Sequence, residues 1–200
     1  MDKISRRERK KAKTREAIYK AALELFIEKG YNETTIEDIT EKVDVAKGTF
    51  FNYFPTKEAV LFYMNEQRVA LLEEMLKKEL KDVKSSEEKL YGCLKLFGRI
   101  NEDEKELTAL VLMETSSKMM SKMAPDVLAQ IRWKSVLVNV LEEGKHQGEF
   151  RHDFNSDHAA DLIISMYFFT LVLWLEGRCK NSLTDELLAR VEIIMAGIKL

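Results

Sequence analysis

Hydrophobic residues recur along most of the chain at intervals of three and four positions, the spacing that places side chains on one face of an α-helix. The stripe nearest the N-terminus is formed by Ile18, Ala21, Ala22, Leu25 and Phe26. Gly30 follows it at the kind of position where helices end in a left-handed residue. The pattern therefore predicts a first helix that ends just before Gly30.

The residues that follow Thr34 predict a short second helix. Thr34 and Glu37 have the spacing of a capping box, in which the hydroxyl accepts from a first-turn N–H and the carboxylate reaches back to the cap residue's own N–H. Ile36, Ile39 and Val43 then continue the helical stripe. One face of this helix is expected to be buried, and its charged residues are expected to face water.

A turn at Asp44 leads into a third helix, predicted over about residues 46–53. Asp tolerates the left-handed backbone conformation that a tight turn between helices often requires. Pro55 ends the helix, because proline disfavours helical geometry at the residue before it. Phe50 and Phe54 are spaced to close onto the second helix, so the other side of the third helix is expected to face outward.

The outward side of the third helix combines side chains that suit a DNA major groove. It offers a lysine able to reach guanine O6 and N7, a glycine that lets the backbone approach, an aromatic edge for a thymine methyl group, and an amide. Hydroxyl groups flank this side as phosphate donors, and a lysine follows at the start of the next helix, where free N–H groups favour an anion. The predicted DNA contacts are Thr34, Thr35, Lys47, Gly48, Thr49, Phe51, Asn52, Tyr53 and Lys57.

This segment resembles the helix-turn-helix of TetR-family transcriptional regulators, with the strong similarity extending over about residues 10–62. Three positions depart from the family pattern: Asp44 stands where Gly is usual, Ala46 where Ser usually caps, and Phe51 where Tyr is common. The resemblance implies a homodimeric repressor on a palindromic DNA operator, released by a small apolar or amphipathic effector. The matching residues are Val45, Lys47, Gly48, Thr49, Phe50, Tyr53, Phe54, Pro55, Thr56, Lys57 and Glu58.

The rest of the chain also follows helical spacing. A long helix is predicted over residues 57–80, about 36 Å at 1.5 Å per residue, with Thr56 as its cap. Five more helices are predicted near residues 86–100, 104–117, 125–147, 156–177 and 182 to the end. The expected fold is all-α with about nine helices, divided into a basic arm with a helix-turn-helix DNA-binding domain (residues 1–56) and a larger helical effector-binding and dimerisation domain (residues 57–200).

The resemblance implies two further sites in the larger domain. One is an effector pocket among the helices, for which bulky apolar residues are candidates: Phe62, Leu94, Phe97, Met113, Met120, Trp133, Leu137 and Phe169. The other is a four-helix seam that the last two helices form with a second copy. Its candidates, which could equally belong to the core, are Leu162, Tyr167, Leu171, Trp174, Leu187, Val191 and Ile194.

Composition agrees with a helical protein, and charge adds a feature near the N-terminus. The chain has eight glycines and two prolines among its 200 residues, and 33% of its residues are charged. The formal net charge is −2, yet the first twenty residues carry nine basic and three acidic side chains. A basic segment directly before a helix-turn-helix can contact phosphates or reach a minor groove. We therefore expect this segment to act as a DNA-contacting arm.

No enzyme site, metal site or cofactor is predicted. Cys93 and Cys179 lack paired-ligand spacing, and the three histidines follow no metal-binding pattern. Nucleophile elbows and phosphate-binding glycine loops are absent from the sequence. The longest nearly apolar run, residues 162–175, is shorter than the roughly 20 residues that span a bilayer, so a cytoplasmic protein without a membrane partner is expected.

The main alternative function is a helical protein-interaction module that docks a partner chain through the aromatic segment of residues 50–54. Ionic strength distinguishes the two functions. Phosphate contacts predict that affinity for duplex DNA falls steeply with salt, whereas aromatic docking would be nearly indifferent to it.

Overall fold

The computed structural model of the chain describes residues 5–79, 81–119 and 126–199, without the side chains of residues 65, 72, 76, 79, 113–119 and 126–132. Helices make up the regular structure of these described segments, beside one isolated bridge between Phe150 and Lys199. The predicted all-α fold of about nine helices is confirmed. The helices are α1 Arg6–Glu28, α2 Ile36–Lys42, α3 Lys47–Phe51, α4 Glu58–Glu79, α5 Ser86–Asp103, α6 Lys105–Met119, α7 Asp126–Gln147, α8 Ser156–Leu175 and α9 Leu183–Ala196.

The basic N-terminal segment is helical from Arg6 onward and forms the start of α1, while its contact with DNA stays a prediction. Ser5 caps α1 through a capping box, since its hydroxyl accepts from the Glu8 N–H while the Glu8 carboxylate accepts from the Ser5 N–H. Residues 6–13 are all exposed. Their positive charges are thus displayed along one rigid helix.

Helices α1 to α3 and the start of α4 enclose a first hydrophobic core, here named the N-terminal cluster. The predicted α1 stripe is buried, and Gly30 behind it has a φ of 87°. Phe50 and Phe54 are both in the interior, as predicted from their spacing. The cluster consists of Ile18, Ala22, Leu25, Phe26, Tyr31, Ile39, Phe50, Phe54, Val60 and Leu61.

The cap of α2 lies one residue later than predicted. Thr35 is the N-cap, and its capping-box partner is Asp38 rather than Glu37. Asp38 also pairs with Lys29 at 2.7 Å, and that hydrogen bond, followed by those from Thr35, holds the pKa of the carboxyl far below its usual range. Because the N-cap of α2 is Thr35, Thr34 lies before the helix and is buried.

Helix α4 connects the two halves of the molecule. Thr56 caps it as predicted, since its hydroxyl accepts from the Ala59 N–H at 3.3 Å. Val60 and Leu61 in its first turn belong to the N-terminal cluster, whereas Met75 near its end packs on the second core. A displacement of either end of α4 is therefore transmitted along a helix of 22 residues, about 33 Å long.

The second half is built from α5 to α9, with α5 lying between α7 and α9, and α8 packed on both α7 and α9. Gly98 allows α5 to approach α9 closely, because a Cβ at this position would lie 2.8 Å from the Thr184 Cα. Helix α8 is the one described helix long and apolar enough to cross a membrane, yet one of its sides packs in the core as a core helix does. The main interior of this half, here named the C-terminal cluster, contains Leu90, Leu94, Trp133, Leu137, Leu141, Phe150, Ile163, Val191 and Met195.

Candidate functional site

The helix-turn-helix is formed by α2, a four-residue turn and α3. Asp44 adopts a φ of 52°, and among the described residues it is the non-glycine residue with a positive φ, which confirms the prediction for the turn. The Val45 N–H donates to the Thr40 carbonyl at 3.0 Å and closes the turn. Ala46 begins α3 without a side-chain cap, as its departure from the usual Ser implies.

The outward side of α3 carries the predicted base-reading groups. Lys47, Gly48 and Asn52 are exposed, and Phe51 is 46% exposed. A Cβ added to Gly48 would meet nothing within 4 Å, so the backbone is open to an approaching surface. These four residues, here named the α3 face, present a cation, an amide, an aromatic edge and accessible backbone on one side of a short helix.

In the free protein, the Lys47 ammonium forms an ion pair with the Glu37 carboxylate of α2. The hydrogen bond from Lys47 is the main reason that the pKa of Glu37 lies below its usual range. Both side chains are about half exposed, so this pair adds little stability and can exchange for another partner. Glu37 therefore orients Lys47 outward without removing it from the surface.

Two predicted contacts require correction, because their polar groups are used inside the protein. Thr34 is 1% exposed, and its hydroxyl donates to the carbonyls of Leu25 and Gly30 at 3.1 and 2.8 Å. The Lys57 ammonium donates to the Tyr31 and Thr34 carbonyls at 2.6 and 2.9 Å. It also lies 4.2 Å from the centre of the Tyr31 ring. Both residues tie the loop after α1 to the start of α4 and do not form an open phosphate site.

The other predicted hydroxyl donors border the α3 face. Thr35 is exposed, although its hydroxyl is engaged as the α2 cap. Thr49 and Tyr53 are half-buried, and Tyr53 packs against the N-terminal cluster. A further basic residue, Arg15, escaped the sequence reasoning: its guanidinium lies 3.9 Å from the Tyr63 ring centre and fixes α1 against α4. The sequence did not reveal this contact, because Arg15 follows a run of basic residues that are all exposed.

Some of the residues predicted to line the effector pocket are buried, and others are not. Leu94, Trp133 and Leu137 are buried in the C-terminal cluster, and Phe97 packs against it with its ring centre 3.8 Å from that of Trp133. Phe62 is half-buried in the second turn of α4. Phe169 is 65% exposed, so its assignment to an internal pocket is wrong. Met113 and Met120 lie outside the described side chains.

A chain of buried polar side chains, which sequence reasoning missed, crosses the second half next to these aromatics. Tyr167 of α8 accepts from the Asn101 Nδ2 of α5 at 3.1 Å, and the Asn101 Oδ1 accepts from the Thr108 hydroxyl of α6 at 3.1 Å. Thr108 in turn accepts from Arg68 of α4 at 3.2 Å, and Arg68 bonds Glu104 at 2.9 Å. A signal existed, since Asn101 continues the apolar stripe of Leu90, Leu94 and Phe97 at helical spacing.

Burial now distinguishes core from seam among the candidates on the last two helices. Tyr167, Leu171, Leu187 and Val191 are buried inside the subunit, so their assignment to a dimer seam is corrected to core. Trp174 and Ile194 are half-buried and pack on the interior clusters. Leu162 is 61% exposed and stays a candidate for the seam.

Besides Leu162, two further apolar residues of the last two helices are exposed. Phe169 lies seven residues further along α8, on the same side of the helix, and Ile193 is 76% exposed on the neighbouring α9. These three residues, here named the α8–α9 face, are large apolar side chains that a monomer in water would leave uncovered. The sequence did not identify Ile193 as exposed, because the spacing of the apolar residues in α9 does not show which of them pack into the core of the same subunit.

A separate open cleft of about 640 Å³ lies at the far end of α7. Charged residues are prominent in its lining, among them Lys81, Lys84, Lys89, Glu143 and Glu149. The Glu149 carboxylate accepts from Ser85 and from the first N–H groups of α5, which explains why it lies there. No predicted effector residue lines this cleft, so we do not identify it with the effector pocket.

Comparison with known proteins finds relatives that match nearly the whole length of the chain. The fatty acid metabolism regulator protein of Bacillus subtilis (strain 168) is 24% identical over 184 residues, which are 90% of this chain and 93% of that protein. The structure of Thermus thermophilus FadR, a TetR-family transcriptional repressor in complex with lauroyl-CoA, is 27% identical and superimposes with a TM-score of 0.75 over 93% of this chain and 95% of its own.

A third relative has the same fold. The structure of the transcriptional regulator FadR from Bacillus subtilis in complex with stearoyl-CoA is 21% identical, with a TM-score of 0.75 over 91% of this chain and 98% of its own. Residues 18–64 match the family of bacterial regulatory proteins named tetR, and residues 65–197 match the C-terminal region of YsiA-like proteins within the same group. With both halves matched by its family models, the chain belongs to the TetR family of bacterial transcriptional regulators.

Proposed function

We propose that this protein is a cytoplasmic repressor that holds a palindromic DNA operator as a homodimer and releases it when a long-chain acyl-CoA binds in the second half. Three surfaces or regions carry the three parts of this function. The α3 face reads bases, the α8–α9 face joins two copies, and the interior beside Phe97 and Trp133 receives the acyl chain. No part of this function requires chemical turnover.

The observation that carries the proposal is the division of α3 into two sides. Phe50 and, just beyond the helix, Phe54 are held in the N-terminal cluster, so the helix cannot rotate its outward side away. Lys47 and Asn52 on that outward side match the edges of guanine and adenine. When DNA binds, Lys47 leaves the Glu37 carboxylate and bonds a base edge instead. The free-energy cost of breaking the Lys47–Glu37 ion pair is small, because both of its side chains are exposed.

The same division weakens the alternative of aromatic docking. Two of the four aromatic residues in the segment 50–54 are buried, and Tyr53 is half-buried, which leaves Phe51 as the one exposed ring there. A single half-exposed phenylalanine is a small surface for a protein partner. DNA binding uses the polar groups around it as well.

The test of base reading begins with selection of bound duplexes from a random library, followed by titration of single variants. Lys47→Ala is expected to relax preference at one base position and to cost about 1–3 kcal/mol on the selected operator. Lys95→Ala removes an exposed lysine on α5, far along the chain from the helix-turn-helix, and is the matched control. A Lys47→Ala variant that selects the same sequences with unchanged affinity would exclude the α3 face as the reading surface.

Dimerisation follows from the geometry of DNA reading as well as from the exposed apolar residues. One five-residue recognition helix makes few contacts, whereas a two-fold pair reads two half-sites about one helical turn apart. A second copy of this chain covers the α8–α9 face in both subunits at once, because a two-fold interface uses the same surface twice.

The acyl-CoA part rests on the interior and on relatedness. The C-terminal cluster supplies a continuous apolar environment for an alkyl chain. The related FadR of Thermus thermophilus, 27% identical over nearly the full length, is a repressor that was crystallised with lauroyl-CoA. Arg68 and Glu104 link α4 to the α5–α6 junction, so a chain inserted among α5, α7 and α8 can shift α4 and with it the helix-turn-helix. A coupling of about 1–3 kcal/mol suffices to change operator occupancy severalfold or more.

The effector is tested by adding lauroyl-CoA to the protein–operator complex and following release by fluorescence anisotropy. Coenzyme A alone and lauric acid alone are the controls, since each has one half of the ligand. We expect release by lauroyl-CoA at concentrations where neither control acts. Release by lauric acid alone would assign a fatty-acid effector, and no release by any of the three would overturn the acyl-CoA assignment while leaving DNA binding untouched.

A further inference from the structure

The C-terminal cluster contains one buried hydrogen-bond donor that has no acceptor. Trp133 of α7 is 6% exposed, and across the described part of the chain its Nε1 has no hydrogen-bond partner. An indole N–H can only donate, and a buried donor without an acceptor is unfavourable. Native proteins contain few such groups, so this one calls for a physical explanation.

The other unpartnered atoms in the described residues differ in kind. The hydroxyls of Ser86 and Thr184 lie in the first turns of α5 and α9, where a rotating O–H can adapt to its surroundings. The Arg15 Nε belongs to a guanidinium that lies over aromatic rings. The Trp133 N–H is rigid, because its ring packs against Phe97 with centres 3.8 Å apart. Its direction is therefore fixed before any ligand arrives.

The polar side chains nearest to this aromatic group are bonded to one another and not to Trp133. Asn101 donates its amide protons to the Phe97 carbonyl at 2.6 Å and to the Tyr167 hydroxyl at 3.1 Å, and its Oδ1 is taken by Thr108. Burial raises the pKa of Tyr167 to about 12, so its hydroxyl stays uncharged and adds no anionic acceptor to this interior. Trp133 belongs to a cluster of apolar residues, with Phe97 packed against it. What remains is one oriented donor in an interior otherwise suited to hydrocarbon.

We propose that the Trp133 Nε1–H is the polar recognition point of the effector site and donates to the carbonyl oxygen of an acyl thioester. This proposal rests on the proposed acyl-CoA function and specifies how the reacting end of the ligand is held. A carbonyl is an uncharged acceptor, so it enters an apolar interior at lower cost than a carboxylate or phosphate. A thioester carbonyl also lies where the hydrocarbon chain ends, so a single donor among apolar residues can hold it while the chain packs on those residues.

The test compares two probes that differ in a single oxygen. Lauroyl-CoA carries the carbonyl, and S-dodecyl-CoA is the thioether with the same chain length and the same coenzyme A but no carbonyl. The wild-type protein is expected to bind lauroyl-CoA about tenfold more tightly, the effect of one buried hydrogen bond. Trp133→Phe is expected to bind both probes alike, near the affinity of the wild-type protein for the thioether.

The chain supplies its own control, because Trp174 is its second and only other tryptophan. Trp174→Phe should keep the preference for lauroyl-CoA, and it leaves Trp133 as the sole indole for spectroscopy. In that variant, labelled with nitrogen-15 in the indole, lauroyl-CoA should move the Trp133 N–H proton resonance downfield, whereas the thioether should not. This readout does not depend on whether Trp133→Phe folds well.

The outcomes separate the two proposals. Equal binding of both probes by the wild-type protein, or no difference between them in the indole resonance, would overturn the hydrogen bond and leave acyl-CoA recognition standing. A preference that survives in Trp133→Phe would likewise overturn it. Binding of neither probe would overturn the acyl-CoA function itself, and the Trp133 contact would fall with it.

Discussion

The α3 face and the α8–α9 face are surfaces of opposite chemistry at two places in one chain. The first exposes Lys47, Gly48 and Asn52 while the large aromatics beside them are buried. The second exposes the large apolar side chains of Phe169 and Ile193. A polar surface can remain wet until a hydrated, charged polymer such as DNA arrives, whereas an apolar surface is stable only when covered. In the proposed function, DNA and the second subunit are recognised by these two separate surfaces, so each surface can be removed without the other.

The interiors of the two halves also differ in the contacts that hold them together. The N-terminal cluster is held by aromatic contacts, and its polar groups act at the ends of helices, as Thr35 and Lys57 do. The second half instead buries a hydrogen-bonded chain through Asn101 and Thr108. Aromatic packing keeps a small reading domain rigid, while a buried polar chain has discrete alternative partners and suits a region that must change with a ligand.

The largest effect is expected when the aromatic support of the α3 face is removed. Phe54 is 1% exposed and its ring packs against those of Phe50 and Tyr63. Phe54→Ala should lower the free energy of unfolding by about 3–5 kcal/mol, as measured by urea denaturation. Operator binding should be lost, while sedimentation should still show a dimer.

Phe51→Ala is the matched control, because it removes the same side chain from the exposed side of α3. It should change stability little and weaken operator binding alone. Equal losses of stability in the two variants would mean that α3 does not have one buried and one outward side.

The next effect concerns the α8–α9 face. The double variant Phe169→Glu and Ile193→Glu places charges in a contact that a two-fold interface repeats, so dimer dissociation should increase at least about 100-fold. Sedimentation at several protein concentrations measures it. The helical content should be unchanged, since both side chains are exposed within the subunit.

Ile27→Glu introduces the same chemical change at another exposed apolar residue, on α1, and should leave the dimer intact. If Ile27→Glu dissociated the dimer and the double variant did not, the seam would lie on the first half of the chain. Operator affinity should follow the dimer in either case, because each half-site alone binds weakly.

The predictability of these two surfaces from sequence differs for a physical reason. In the helix-turn-helix, local chemistry fixes orientation: Pro55 ends the segment, Asp44 takes the left-handed turn, and Phe50 and Phe54 must point the same way. The outward residues could therefore be inferred by elimination. Thr34 and Lys57 failed because their partners are backbone carbonyls, which sequence does not display.

In the second half, helical spacing gave the number and approximate bounds of the helices but not their rotation. Helix α8 is apolar almost all round, so spacing cannot tell Tyr167, which is buried, from Phe169, which is exposed. The rotation depends on packing against α7 and α9, which are adjacent in space at residues distant in sequence. The buried polar chain was missed for the same reason, as its members come from four different helices.

A smaller effect is expected from breaking that polar chain. Thr108→Val keeps the shape of the side chain but removes the hydroxyl that joins Arg68 to Asn101, so stability should fall by about 1–3 kcal/mol. The ratio of operator affinities with and without lauroyl-CoA should also fall, because α4 and α5 lose a connection. Calorimetric unfolding and the release titration measure the two effects.

Thr170→Val is the matched control. Thr170 is fully buried, but its hydroxyl donates to the Met166 carbonyl in its own helix, so no connection between helices depends on it. It should destabilise less and leave the affinity ratio unchanged. If both variants altered the ratio equally, the effect of Thr108 would be one of general loosening and not of a specific link.

The smallest effect sharpens the comparison because stability and binding should move in opposite directions. Gly48 lies within α3, and an added Cβ would meet nothing within 4 Å. Gly48→Ala should therefore stabilise the protein by about 0.5–1 kcal/mol through helix propensity. The same methyl group occupies the space through which the backbone approaches the groove, so operator affinity should fall. Thermal denaturation and anisotropy on the same preparation measure both quantities. A variant that is more stable and binds the operator as tightly as the wild type would show that the groove never comes this close to the backbone, and base reading would then rest on the side chains of Lys47, Phe51 and Asn52.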